Sequence, residues 1–493
     1  MHRILLTLLL LSANCAAAAP APILTLLYDT DDLTFLQNES TSAAASNTPS
    51  RLSQDQAQTL AADLKASLAS DNPGDPIYLA KQLANVGMLQ TYAGDLTAGD
   101  QSLRAALTHF NQNQSLFDPR LPKLLSAIGI NGFLREDYDT AEDHFRWSQN
   151  IQHRSYGLFA AEQTPNLNWL TRVYLSTDQT DAADIAQRYV LSIAEQVLPA
   201  GSPALSEIKI GIAAYLGQRA NTISPFAEDL DRLLRQTLFT DSVDLLNQAI
   251  LEITAAEGPY SVNLIDALET KAQVYSWRGR SNRLKEQALT QILTVIQNQP
   301  VVKAESLRDA WLALADGYIL TGNEKAVTAY RSAWLATNPA PASDDVAPIV
   351  AKVKPSIEPT SQSLPARATI LTDPVLLWPD AYDPIYLGAD IATDPTAPVV
   401  DYAVELGFTI SSKGRVKRIK VLGKNVPNRQ VRWTRTMALN SRYRPALRNG
   451  VPEEVEFALR QTFIPRPATA TTPDAPAGTS PVVPSKTGQA ADN

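Results

Sequence analysis

Proton transfer at neutral pH would fall first to histidine, and the chain has four: His2, His109, His144 and His153. His144 and His153 stand nine residues apart, off the spacing of a metal-ligand pair, and read as helix-surface positions. The acidic pairs Asp31-Asp32, Asp344-Asp345 and Glu453-Glu454 are adjacent in sequence. Neighbouring residues of a strand point to opposite faces, which suits solvation better than paired acid–base work. The glycine patterns that cradle phosphates or dinucleotides are absent, as is the nucleophile elbow. No catalytic residue, metal ligand or cofactor is expected, and the chain reads as a non-enzyme.

What remains is chemistry of charge and backbone. Lys413, Arg415, Lys417, Arg418 and Lys420 form a basic run. The stretch NSRYRPALRNGVPEEVEF, 440–457, adds Arg442, Arg444 and Arg448 before an Asn-Gly turn and a final alternating run. Between 399 and 465 there are thirteen Lys/Arg against five Asp/Glu, whereas the whole chain of 493 residues carries a net charge of −8. An acidic body with a basic C-terminal module points to binding partners of opposite charge, or to a solvated strand face.

Such a cluster would ordinarily invite a nucleic-acid reading. The start of the chain argues against it. MHRILLTLLLLSANCAAAAP has a basic n-region at Arg3, an apolar core from Ile4 to Leu11, and a cleavage site at Ala16-Ala17-Ala18. The apolar run is shorter than the roughly 20 residues that span about 30 Å of hydrocarbon, so a retained anchor is the weaker reading. Cleavage would remove Cys15, the only cysteine, leaving no thiol. Lipidation at Cys15 is the alternative, although Ser12-Ala13-Asn14 departs from a Leu-led lipoprotein box. The expectation is an exported, periplasmic chain whose partners are envelope proteins, with membrane-peripheral association through anionic surfaces and no nucleic acid.

The elements that position these residues begin with a repeat. LANVGMLQTYAGDLTAGDQSLRAAL, 83–107, is apolar at helical spacing, breaks at Gly94-Asp95 and resumes as a second helix. LLSAIGINGFLREDYDTAEDHFRWS, 124–148, does the same around Asp137. Gly87 and Gly129 are 42 residues apart, and further steps of 42 reach Thr171 and Ala213. A small side chain at a fixed helical position lets a neighbouring helix approach, so the pattern predicts stacked helical hairpins.

These residues resemble the tetratricopeptide repeat family. Its pattern falls on Gly87, Gly94-Asp95, Leu103 and Ala106, and again on Gly129, Asp137-Tyr138, Ala141, Phe145 and Ser148. A late unit matches at Trp311, Ala315, Tyr318, Gly322, Tyr330 and Ala333, and 264–280 looks like another first helix with Tyr275 and Gly279. The period exceeds the family's usual repeat of about 34 residues. Gly99 stands where the family has a small alanine, and 217–258 keeps no clear register. The resemblance covers about 80–338 and implies a surface for extended peptides or partner helices.

After Asn338 closely spaced prolines read as a stiff spacer, and the Ala/Thr/Pro tail after Pro465 as disordered. Between them, VVDYAVELGFTIS and RVKRIKVLGK read as two strands joined at SSKG. Val416 and Ile419 have opposite parity, which predicts a bulge near Lys417-Arg418. Pro427 suits the first turn of a helix with Val431, Met437 and Ala438 inward. A last strand follows the Asn449-Gly450 turn.

The order strand, strand, helix, strand resembles the C-terminal domain of the energy transducer TonB and its relatives. The matching motifs are Gly414-Arg415-Val416, Tyr443-Arg444-Pro445-Ala446 and Asn449-Gly450-Val451-Pro452. The Tyr-Pro segment usual before the first strand is unclear, and the helix lacks an Ala-Ala-rich face. The resemblance implies a module whose edge strand pairs with an extended segment of an outer-membrane transporter, by β-augmentation. Partner-binding candidates are Arg415, Lys417, Lys420, Arg442 and Arg444, with Val455, Phe457, Leu459 and Phe463 on the last strand.

The expected plan is multidomain: signal peptide 1–19, flexible segment 20–50, α-helical repeat solenoid 51–338, Pro-rich linker 339–370, small α+β domain 371–465 and tail 466–493. Functionally it predicts a periplasmic adaptor, the repeats holding one envelope partner and the C-terminal module another. The alternative is a structural subunit in which that module drives homodimerisation.

Overall fold

The computed structural model describes residues 21–29, 52–71, 75–113, 115–224, 228–278, 283–338, 371–372, 374–378 and 402–463. The expected signal peptide, proline-rich linker and tail lie outside these residues. The chain divides between Ser363 and Leu364 into two compact units, each described by itself.

The first unit is a mostly helical array of stacked hairpins. A short helix α1 (Ala21–Leu24) and α2 (Gln54–Asp71) precede six hairpins. These are α3 (Pro76–Ala93) with α4 (Leu96–Asn113), α5 (Leu121–Leu134) with α6 (Tyr138–Tyr156), and α7 (Thr164–Ser176) with α8 (Thr180–Val197). Next come α9 (Pro203–Thr222) with α10 (Asp229–Glu257), α11 (Leu264–Arg278) with α12 (Arg283–Gln297), and α13 (Ala304–Thr321) with α14 (Ala326–Thr337). Local chemistry sets many of the ends. Asp75 caps α3 by accepting from the Ile77 N–H, Pro76 fills its first turn, and Gly94 closes it in the left-handed region at φ 92°. Asp137 caps α6 and Ser202 caps α9 in the same way.

The small-residue column is where each first helix meets its second. A Cβ on Gly87 would lie 2.6 Å from Leu103 Cγ, and one on Gly129 would lie 2.7 Å from Phe145 Cε1. Thr171 accepts from Gln187 Nε2 at 2.9 Å, and the Ala213 carbonyl accepts from Ser242 Oγ at 2.6 Å. Leu103, Phe145 and Gln187 each follow their small partner by 16 residues, but Ser242 follows Ala213 by 29. The connection into α10 is longer and α10 itself runs for 29 residues. That displacement is why the sequence pattern loses register over 217–258. Three apolar clusters fill the array, and Phe145 stacks on Trp169 of the next hairpin at 5.9 Å and 9°.

The second unit is built on an antiparallel sheet in the order β4-β3-β8: β3 (Tyr402–Ile410), β4 (Val416–Lys424) and β8 (Val455–Phe463). Val404, Leu406, Phe408 and Ile410 are all buried. Helix α15 (Asn428–Asn440) brings Ala438 into the same core, with Val431 half-buried against it, and Met437 is also buried. Pro427 is its N-cap rather than a first-turn residue. The bulge falls where parity predicted it: Thr409 pairs with Lys417 but Gly407 with Lys420, and Arg418 takes φ 53°.

Structure beyond the expected four elements comes from short ribbons. β1 (Leu371–Thr372), β6 (Ala446–Arg448) and β7 (Val451–Glu453) form one sheet, β2 (Val375–Trp378) and β5 (Arg442–Arg444) another. The Tyr-Arg-Pro-Ala step is therefore two strands separated at Pro445. Asn449 and Gly450 both have positive φ, 51° and 78°, as a two-residue primed turn requires.

One expectation needs correction. Residues 21–29, read as part of a flexible segment, are packed on the array, with Ile23, Leu27 and Tyr28 buried. Their apolar density is the reason: five of the seven residues from Ile23 to Asp29 are Ile, Leu or Tyr.

Candidate functional site

A nine-residue strand at a sheet edge is the first candidate surface. β8 pairs residue for residue with β3, from Tyr402↔Phe463 to Ile410↔Val455, and with no other strand among the described residues. Its outer row of main-chain N–H and C=O groups is thus the kind of edge that can accept another extended chain. Val455, Phe457 and Leu459 are half-buried against the core and Phe463 is buried. Their side chains anchor the strand, while Glu456, Ala458, Arg460 and Thr462 are exposed.

The anchor is aromatic. Phe408, Tyr443 and Phe457 form a triangle of rings with centroids 5.7–5.8 Å apart, joining β3, β5 and β8. Burial pushes the Tyr443 hydroxyl up to about 12. This gives the aromatic residue of the Tyr-Arg-Pro-Ala step a core role.

The cations are partly committed. Lys417 Nζ lies 3.3 Å from Glu454, and Arg418 reaches the same carboxylate at 3.7 Å. Arg448 pairs with Glu453 at 2.8 Å, and Arg460 with Glu405 at 3.8 Å. Arg442 donates to the Ser441 carbonyl at 3.0 Å and bridges Arg415 backbone to backbone. Arg444 is half-buried on β5, opposite Val375. Lys420 and Arg415 are exposed. The adjacent acids Glu453 and Glu454 thus serve three ion pairs, which hold Lys417, Arg418 and Arg448 beside the β7–β8 connection.

The array offers different surfaces. A cleft of about 540 Å³ lies at α7, α8 and the start of α9, lined by residues including Asn168, Trp169, Arg172, Val197, Leu198 and Ile208. Arg172 lies 4.6 Å over the Trp169 ring. A buried polar ladder links successive hairpins. Ser126 donates to Asn166 Oδ1 at 2.7 Å, and Asn166 Nδ2 donates to Ser148 at 2.7 Å and Gln152 at 2.8 Å. Asn131 donates to Thr91 Oγ1 at 2.9 Å. Between α8 and α9, Tyr215 donates to Asp184 at 2.5 Å and Arg219 stands 3.6 Å from the same carboxylate. Burial raises the Asp184 pKa, against the lowering effect of those two partners.

His144 Nδ1 sits 2.8 Å from the Thr140 carbonyl, one turn back on its own helix. No cluster of three metal-ligating side chains occurs among the described residues. No described helix is long and apolar enough to cross a membrane. Sequence reasoning missed Tyr28, which threads its hydroxyl and backbone into the first two hairpins. The apolar run after the cleavage motif was the available signal.

The sequence matches no protein-family profile and no curated protein. Among solved structures it is similar to a Podosopora anserina kinesin light chain with nearly identical TPR-like repeats, at 12% identity over 46% of this chain and 100% of that one, TM-score 0.38. It is also similar to BtubC (BKLC) from P. vanneervenii, at 12% identity over 62% of this chain and 97% of that one, TM-score 0.27.

Proposed function

We propose that this chain is a non-enzymatic periplasmic adaptor. Its helical repeats hold one envelope protein, and its C-terminal module, similar to that of TonB, engages a second by adding a strand to β8. The observation that carries this reading is the position of β8: nine residues long, anchored by Phe457 and Phe463, and paired on one side only among the described residues. Main-chain pairing gives affinity without reactive groups, which suits a module with no acid–base constellation. The exposed Arg415 and Lys420 favour an acidic partner segment, an outer-membrane transporter being the partner that the resemblance implies. Export follows from the Arg3, apolar and Ala-rich start, with a mature form beginning near Ala19 to Ala21.

Successive strand residues aim their N–H groups in opposite directions, so proline at one parity breaks the β3 ladder and at the other removes edge donors only. Full-length protein carrying Ala458→Pro or Gln461→Pro is used to recover partners from envelope extracts. One of the two should keep its fold and lose a transporter that the parent recovers. Equal recovery by the parent and by the folded variant defeats the reading. Loss of a homodimer instead, seen by light scattering, would identify a self-associating structural subunit.

A further inference from the structure

The junction between the first two hairpins is already occupied by a peptide, and the peptide belongs to this chain. Asn85 of α3, fully buried, accepts from the Tyr28 N–H at 2.8 Å and donates from Nδ2 to the Tyr28 carbonyl at 3.0 Å. One side-chain amide thus satisfies both main-chain groups of one residue, as a neighbouring strand would. Gln82 orients that amide by accepting from Nδ2 at 3.3 Å.

Around this clamp the contacts discriminate side chains. The Tyr28 hydroxyl donates to the Arg120 carbonyl at 2.7 Å and accepts from the Leu124 N–H at 3.1 Å, one of the unpaired donors in the first turn of α5. Its ring packs 6.3 Å from Phe110 and lies 5.6 Å from Lys123 Nζ. Lys123 also donates to the Leu27 carbonyl at 3.3 Å, and Lys81 pairs with Asp29 at 2.9 Å. Ile23 and Leu27 are sunk in the array core at 1% and 3% exposure. The site reads an apolar residue, then Leu-Tyr-Asp four to six positions later, and it fixes the register through the backbone.

We infer that this junction is a peptide-binding site of the array, and that Ile23–Asp29 is an internal occupant that can be released from it. The segment is separated from α2 by 24 residues, so its contacts with the first hairpins do not depend on helix continuity. An asparagine buried at 0% exposure is an expensive way to build an apolar core, because Gln82 of its own helix meets only one Nδ2 hydrogen and the remaining groups need partners from outside the helix pair. The occupant supplies them. The same chemistry in another chain would compete for the same amide. The inference concerns the array alone and stands apart from the reading of β8.

The test uses the full chain. Leu27→Asp with Tyr28→Ala releases the segment, and a fluorescent peptide of residues 21–29, APILTLLYD, is titrated against parent and variant. The released variant should bind it saturably and at least about tenfold more tightly than the parent, whose tethered copy competes at an effective concentration near millimolar. Adding Asn85→Leu to the release should abolish binding. No binding to a released variant of unchanged helical circular dichroism, or equal binding to parent and variant, overturns the proposal. Should the variant not fold, hydrogen exchange on the parent decides. The Tyr28 amide should be protected and lose protection when excess peptide is added; exchange at the free-peptide rate, or protection indifferent to peptide, overturns the inference.

Discussion

Gly129 of α5 faces the ring of Phe145 on α6 so closely that any Cβ would stand 2.7 Å from the ring edge. Alanine there gains helix propensity of about 1 kcal/mol over glycine, but overpacking a core typically costs about 1–3 kcal/mol. Phe145 is fully buried and stacked on Trp169, so it has little room to yield. Gly129→Ala should lower stability by about 1 kcal/mol. Gly211→Ala on α9, where a Cβ meets nothing within 4 Å, should raise it by roughly 0.5–1 kcal/mol. Urea midpoints of the two variants check the contrast in sign.

Asn166 is the hub of the polar ladder, bonded to Ser126, Ser148 and Gln152. Asn166→Leu keeps the volume and removes its hydrogen bonds, while Ser126 and Ser148 keep the Pro122 carbonyl and each other, so the loss should be about 0.5–1.5 kcal/mol. We expect a loss in that range, read from chemical denaturation.

Lys285 is half-buried on α12, and desolvation lowers its pKa, with Asp316 acting in the opposite sense. A depressed lysine costs stability in full below its folded pKa. That cost is relieved as the pH rises toward the ordinary value near 10.4. Lys285→Met should therefore raise Tm at pH 7 by about 2 °C, and the gain should shrink as pH approaches 10. Asp316 keeps the Tyr330 hydroxyl as a donor at 2.8 Å in the variant. Thermal melts across pH 7–10 supply the measurement; a gain that grows with pH contradicts the assignment.

Gly450 closes the β6–β7 turn at φ 78°, beside Asn449 at 51°. An L side chain in the left-handed region costs about 1–2 kcal/mol, and asparagine tolerates it better than alanine. Gly450→Ala should destabilise the C-terminal unit by about that amount, and Gly450→Asn by less. Two-dimensional NMR of the turn amides with denaturant titration distinguishes the two.

Much of the architecture was legible without coordinates, because it depends on spacing along single elements. Helical hairpins follow from apolar periodicity and from small residues at Gly87, Gly129, Thr171 and Ala213. The β4 bulge follows from the parity of Val416 and Ile419, and the last turn from Asn449-Gly450. Each is a local constraint of backbone geometry, so neighbouring residues suffice to express it.

Tertiary structure decided whatever depends on partners distant in sequence. The fourth hairpin shifts its contact from 16 residues to 29, and nothing within α10 announces where Ser242 meets Ala213. Tyr443 belongs to a ring cluster with Phe408 and Phe457, although its motif could equally have placed it outward. Whether β8 lies at an edge is a property of strand order, which alternation cannot encode. Above all, Tyr28 and Asn85 are 57 residues apart, and their reciprocal hydrogen bonds exist only once two hairpins have stacked. The sequence by itself determined the elements and their faces, through local periodicity. Only folding could decide which distant residues those faces would meet, because burial rewards any complementary apolar surface and is blind to separation along the chain.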